Sequence, residues 1–236
     1  MKPRAILFDL YGTLVDIETD EERPQVWDTL ARFLGYQSLR VTSEMLKTTF
    51  FAKQQASLAS SLKEYPELDV PAIFRALLAE LGHDGDGQLS LQLTRLYRML
   101  SIVRFGLFSD TLAGLRALHA AFSLGLVSDA QRAYLDPEID ICGLRPLFDV
   151  IVVSSDYGYR KPDPRLFGVA LRRLGTPASQ AIYVGDNVER DVCGAHNAGL
   201  RAVLLRPTAK TRPVDPRCQP EVRLGTLDDL CQYLLS

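Results

Sequence analysis

Asp9 interrupts an apolar run, Arg4-Ala-Ile-Leu-Phe-Asp-Leu10, and Gly12-Thr13 follow directly. Ser128, Lys161 and Gly185-Asp186 also stand at or just beyond the ends of apolar runs, with Asp191 about one helical turn further on. One strand-end Asp alone would say little, because Asp also caps helices and makes turns. A carboxylate, a hydroxyl, a lysine and an acidic pair in that order form a far more specific set. Between them they can attack an electrophilic centre, hold its oxygens, neutralise developing charge and bind a hard cation.

Such groups act together only if the chain folds them to one place. Arg4 to Leu10 reads as a continuous apolar strand, the pattern of a strand covered on both faces. Similar runs recur at 122–128, 150–153, 181–184 and 202–205, separated by helical patterns over 110–121, 164–174 and 189–198. Strands alternating with helices of that length imply right-handed crossovers and an α/β fold with a doubly wound, Rossmann-like parallel sheet. In such sheets ligands bind beyond the carboxyl ends of the strands, where the residues above are placed.

Residues 17–100 carry helical periodicity and no convincing strand. Trp27, Leu30 and Leu34 share a face, as do Leu46, Phe50, Leu58 and Leu62, then Ile73, Leu77 and Leu81, then Leu89, Leu93, Leu96 and Leu100. The expected division is a core of residues 1–16 and 101–236 with an inserted four-helix unit, 17–100, over the end of the first strand. Hinges are expected near Asp16-Ile17 and between Leu100 and Phe108. Asp84-Gly-Asp-Gly87 begins like a calcium loop, but Arg95 occupies the position of the bidentate Glu, so a turn is expected. Residues 207–223 read as a surface connection into a last helix, Leu227 to Leu235.

Composition narrows the function classes. The 236 residues are 47% hydrophobic and 24% charged, with a formal net charge of -2, enough for a full core and a smaller accessory unit. Charges of both signs are interspersed, and no basic stripe could track a nucleic acid backbone. The apolar opening run is too short for a signal peptide or a membrane span, so a cytoplasmic protein is expected. Cys142, Cys193, Cys218 and Cys231 form no metal or redox motif and are expected to be reduced; the three histidines fall at no ligand spacing.

Asp9-Leu-Tyr-Gly-Thr-Leu14, Ser128, Lys161-Pro162 and Gly185-Asp186-Asn-Val-Glu-Arg-Asp191 together resemble the four signature loops of the haloacid dehalogenase superfamily, across nearly the whole chain. The inserted helical unit is similar to that family's helix-bundle cap. The resemblance implies Asp9 as nucleophile and Mg²⁺ held by Asp9, the carbonyl of Tyr11 and Asp186, with Asp191 a ligand or an acid orienting bound water. It also implies Lys161 neutralising charge and Ser128 holding substrate oxygens. Thr13 either orients its loop or touches substrate.

Two departures matter. Family phosphatases carry a second Asp two residues after the nucleophile, a general acid typically worth ~10²–10⁴ in rate; here Tyr11 stands there. Asp-x-Tyr-Gly-Thr is instead typical of the family's (S)-2-haloacid dehalogenases, whose halide leaves without a proton and without metal. The other loops resemble the phosphatases: Asp129 follows Ser128 where dehalogenases have Asn, Asp186 occupies a Ser-bearing loop, and Phe167 replaces a Tyr. Asn187 fits both. A dehalogenase also needs a cation for the substrate carboxylate, for which Arg40 is the candidate.

The resemblance therefore implies a Mg²⁺-dependent phosphatase or phosphotransferase for a small molecule, with a 2-haloacid dehalogenase as alternative and a catalytically weak phosphate-binding regulator as a third. Asp129 and Asn187 join Ser128, Lys161 and Arg40 as candidate substrate contacts, with Lys47, Lys53 and Gln54 as further cap candidates. No membrane or nucleic acid partner is expected, and monomer or homodimer stays open.

Overall fold

The computed structural model describes residues 3–83, 87–207 and 216–236. Its strands are β1 (Ala5–Phe8), β2 (Val15–Thr19), β3 (Ile102–Leu107), β4 (Ser123–Ser128), β5 (Val150–Val153), β6 (Ala181–Gly185), β7 (Arg201–Leu205) and β8 (Val222–Leu224). Six pair in parallel in the order β5-β4-β1-β6-β7-β8. The chain winds outward from β1 through β4 to β5, then returns to lay β6, β7 and β8 on the other side. That reversal creates a switch point between β1 and β6, and Asp9 and Asp186 follow those two strands.

Alternation along β1 divides the core. Ile6 and Phe8 face one side with α5 (Thr111–His119), α6 (Arg132–Ile141) and α9 (Leu227–Leu235); Ala5 and Leu7 face the other, with α7 (Pro164–Leu174) and α8 (Gly194–Asn197). All four β1 residues are completely buried. Burial of a side chain such as Phe8 contributes about 1.5–3 kcal/mol, which explains why this run alternates in direction without alternating in polarity.

The helical stretch folds as α1 (Pro24–Tyr36), α2 (Ser43–Ala59), α3 (Val70–Glu80) and α4 (Gln88–Ser101), with Trp27, Phe50, Phe74 and Tyr97 meeting ring against ring in their shared core. Thr42 caps α2 and Asp69 caps α3. Two apolar faces differ from the periodic expectation. Leu62 lies beyond the end of α2 and is fully exposed, while α4 buries Ser90, Leu93, Thr94, Tyr97 and Ser101, a face one residue away from the Leu stripe. Small polar residues that bond back to their own helix, as Thr94 does to the Ser90 carbonyl, let the helices approach closely there.

Residues 17–100 do contain strand. β2 begins at Val15 and pairs antiparallel with β3, so the two expected hinge segments form one hydrogen-bonded ribbon. Arg104 ties it further through ion pairs to Asp16 and Glu18. Its strands are short and one face is charged, so their period of two is lost beside the long helices. β8 is a second addition, since the expected connection contributes an edge strand to the sheet.

The cysteines correct another expectation. Cys193 and Cys218 form a disulfide across 25 residues, because the chain before β8 returns to the end of the fourth loop; Cys142 and Cys231 are free. No spacing rule reveals a pair joined only by a long excursion. Most of the Asp84-Gly-Asp-Gly87 turn and residues 208–215 lie outside the described residues. Among the described residues, no helix is long and apolar enough to cross a membrane.

Candidate active site

The loop after β1 turns tightly: the amides of Leu14 and Val15 both donate to the Leu10 carbonyl, and Gly12 N donates to the Val15 carbonyl. Gly12 has φ +86°, and a β-carbon there would lie 2.5 Å from an Asp186 carboxylate oxygen. Only glycine lets the first and fourth loops approach this closely. Gly185 plays the same part for Asp191, whose carboxyl carbon would be 2.4 Å from a β-carbon at that position.

Lys161 is placed by the turn before α7, where Asp163 caps the helix through the Arg165 amide and Pro164 opens it. Its ammonium is almost completely buried and donates to Asp9 (2.7 Å), Asp191 (2.6 Å) and the Tyr183 hydroxyl (2.9 Å). Burial alone would lower its pKa; the Asp191 and Asp9 carboxylates outweigh that and raise it. A buried lysine with one carboxylate would be balanced, but this one serves two.

Asp9 carries the complementary imbalance. Burial pushes its pKa up, Lys161 opposes the shift, and the charges of Asp191 and Asp186 add to it. Asp129 is raised too, chiefly by burial, as is Asp186. Arg190 is a second cation within electrostatic reach; desolvation works against its charge, and Asp191, Asp9, Asp129 and Asp186 overcome it. Four aspartates thus lie within electrostatic reach of one buried ammonium.

Unpartnered polar atoms converge on the same place. Thr13 Oγ1, Ser128 Oγ, Asp129 Oδ2 and Asp186 Oδ1 are buried without a hydrogen bond among the described residues. Such groups cost about 1–3 kcal/mol each when left unpaired, and all four stand at the end of β4 or in the loops that follow β1, β4 and β6. Ligand oxygens of Asp9, Asp186 and Asp191 lie within 4.8 Å of one another, an all-oxygen set that suits a hard cation such as Mg²⁺. The roles differ. Asp191 is already engaged, with one oxygen on Lys161 and Tyr183 and the other on the Asn187 amide, whereas Asp186 Oδ1 is free.

Several expected contacts turn out differently. Tyr11 directs its hydroxyl to Glu138 on α6 at 2.5 Å, and burial with the adjacent Glu138 charge raises its pKa well above the usual phenol value. Arg98 of α4 pairs bidentately with Glu138 and lies over the Tyr11 and Tyr134 rings. The Tyr11 hydroxyl is thus engaged with Glu138. Asn187 caps its turn, its side-chain oxygen accepting from the Arg190 amide. Arg40 is exposed between α1 and α2, outside the cluster. Lys47 pairs with Glu22 and Lys53 with Glu80; of the four cap candidates, Gln54 lines a cavity beside Asp129.

The Thr13 hydroxyl is buried without a hydrogen bond among the described residues, and backbone bonds hold its loop. Residues that periodicity could not single out also bind the bundle to the sheet. Glu67 accepts from Ser154 and Gln131, Gln131 receives the Val70 amide and donates to the Leu68 carbonyl, and Lys63 reaches the Gly158 carbonyl. Tyr183 carried a signal, as the lone hydroxyl inside Ala181-Ile-Tyr-Val184.

An acidic group thus stands at the switch point of a doubly wound, Rossmann-like sheet. Residues 3–199 match the profile of the haloacid dehalogenase-like hydrolase family, and the chain belongs to that family. It is 28% identical over 232 residues to glyceraldehyde 3-phosphate phosphatase of Methanopyrus kandleri, spanning 93% of this chain and 90% of that one. Phosphoserine phosphatase of Thermus thermophilus is 39% identical over 115 residues, 49% of this chain and 44% of the relative. Among solved structures, a 2-haloacid dehalogenase from Pseudomonas syringae pv. Tomato DC3000 has a TM-score of 0.74 and 25% identity, covering 99% of this chain and 98% of that one.

Proposed function

We propose that this hydrolase cleaves small phosphomonoesters, or transfers their phosphoryl group, with Asp9 as nucleophile and Mg²⁺ as cofactor. The observation that carries this is the surplus of carboxylate at Asp9, with the buried Asp186 Oδ1 left unpartnered. Asp9, Asp186 and the Tyr11 carbonyl would hold Mg²⁺, with Asp191 fixing Lys161 and the fourth loop around it. When bound, the ion supplies the positive charge that lets a carboxylate meet a phosphoryl dianion.

An Asp9 oxygen attacks phosphorus in line and the phosphorus–oxygen bond to the alcohol breaks. Water then cleaves the aspartyl-phosphate, releasing phosphate and free Asp9. Lys161 balances charge on Asp9, while the Ser128 and Thr13 hydroxyls donate to the transferring oxygens. With Tyr11 bound to Glu138, the leaving alkoxide takes its proton from water, which favours good leaving groups.

A 2-haloacid dehalogenase is the second reading, supported by Asp9-Leu-Tyr11 and the likeness to a solved dehalogenase. Against it stands the cavity beside Asp129, whose lining has no lysine or arginine to take the acid's carboxylate. Hydrolysis of an aryl phosphate and halide release from L-2-chloropropionate, each with Mg²⁺ and with chelator, separate the two. The expected result is chelator-sensitive phosphate release and no halide; chelator-insensitive halide release would replace the phosphatase with the dehalogenase.

A further inference from the structure

The cavity beside Asp129 has a volume of about 360 Å³, the size of a small-molecule site, and is walled by the α1–α4 bundle on one side and the loop after β4 on the other. Asp129 connects it to the nucleophile, since its Oδ1 accepts from the Lys161 amide while the Lys161 ammonium holds Asp9.

The lining is acidic and aromatic. Glu21, Glu22, Glu67 and Asp129 contribute carboxylates, and Phe50, Phe51, Tyr97 and Tyr134 contribute rings. Glu22 is paired with Lys47 at the rim, and Glu67 accepts hydrogen bonds without an ion pair. The Glu21 side chain has neither hydrogen bond nor ion pair among the described residues, yet it lies close enough to Tyr97 to help burial raise that phenol's pKa. Asp129 lines this cavity, and its Oδ2 is buried without a hydrogen-bond partner among the described residues.

Two ligand types can satisfy carboxylates arranged in this way, a metal ion or an organic cation. Among the described residues, Asp9, Asp186 and Asp191 form a group of three acidic ligands close enough to share an ion, and no such group of three or more lies in this cavity. Aromatic rings beside carboxylates are the surroundings that attract an ammonium group, through ring faces and charge together. Resting on the phosphatase reading above, we propose that the substrate is a phosphate ester of an amine-bearing alcohol, its phosphoryl end at Asp9 and its ammonium between Glu21, Asp129 and the Tyr97 ring. The ammonium also withdraws electrons from the departing oxygen, which suits a site where Tyr11 supplies no proton.

The test compares phosphoethanolamine with its uncharged isostere propyl phosphate and with anionic phosphoglycolate, using an aryl phosphate as reference, all with Mg²⁺. The expected kcat/KM is at least about tenfold higher for phosphoethanolamine than for propyl phosphate, a difference of about 1.4 kcal/mol, with phosphoglycolate below both. In Glu21→Gln the amine-to-isostere ratio falls several-fold, which inductive help to the leaving group would not produce. A ratio near one, or a preference for phosphoglycolate, overturns this inference while the aryl phosphate is still hydrolysed. Absence of hydrolysis of every ester, aryl phosphate included, overturns the phosphatase reading itself.

Discussion

Two buried ion clusters flank the loop after β1, and they differ in how their charges add up. On one side Arg98 pairs bidentately with Glu138, and the Tyr11 hydroxyl completes the carboxylate's shell, so one charge meets one charge and every strong acceptor is used. On the other side the Lys161 ammonium serves Asp9 and Asp191 together, with Asp129 and Asp186 close by and two of their oxygens idle. A closed ion pair holds elements in place. An open one has capacity for a ligand, and that contrast separates scaffold from chemistry within a few residues of one loop.

The contrast can be broken at its acidic end first. Asp9→Asn is expected to reduce phosphate release by about 10³-fold or more, since a lost nucleophile is not replaced by its neighbours. Its thermal unfolding midpoint should stay at or above that of the parent, because one excess charge has gone; a large fall in the midpoint would mean Asp9 belongs to the scaffold.

Lys161→Met should cost about 3–5 kcal/mol in denaturant unfolding, leaving Asp9 and Asp191 buried against each other without their cation. Adding Mg²⁺ should return part of that loss, a recovery absent with chelator. An unchanged midpoint would show that the two carboxylates are not held by Lys161.

Tyr11→Phe sharpens the comparison from the balanced side. With the phenol acting as a strut, kcat on an alkyl phosphate should fall less than about tenfold, whereas a fall of about 10²-fold or more would make it a proton donor.

The sheet was legible because parallel strands buried on both faces announce themselves as unbroken apolar runs, and the groups at their ends follow from the topology. Asp9, Lys161, Asp186 and Asp191 are brought together for that reason. What stayed hidden depends on side chains from distant elements. Glu138 sits on a helix with Pro137 inside it, which hides the periodicity, and nothing local tells Tyr11 to turn toward it. Glu67 and Gln131 look like ordinary polar loop residues until the α2–α3 connection meets the loop after β4. The β2–β3 ribbon had a readable alternation, Val15-Asp-Ile-Glu-Thr19, overshadowed by the longer helical patterns around it.

The Cys193–Cys218 bond has its own consequence for how the enzyme is handled. Cys193 stands two residues from Asp191, and Cys218 belongs to the stretch beyond residue 199, where the family match ends. The disulfide staples this chain's own tail to the turn that carries Asp191. Thiol reductant converts one covalent species into another by exchange. A rate measured with the bond open and a rate measured with it closed therefore belong to two different molecules, and buffer redox poise becomes an assay variable alongside pH and Mg²⁺.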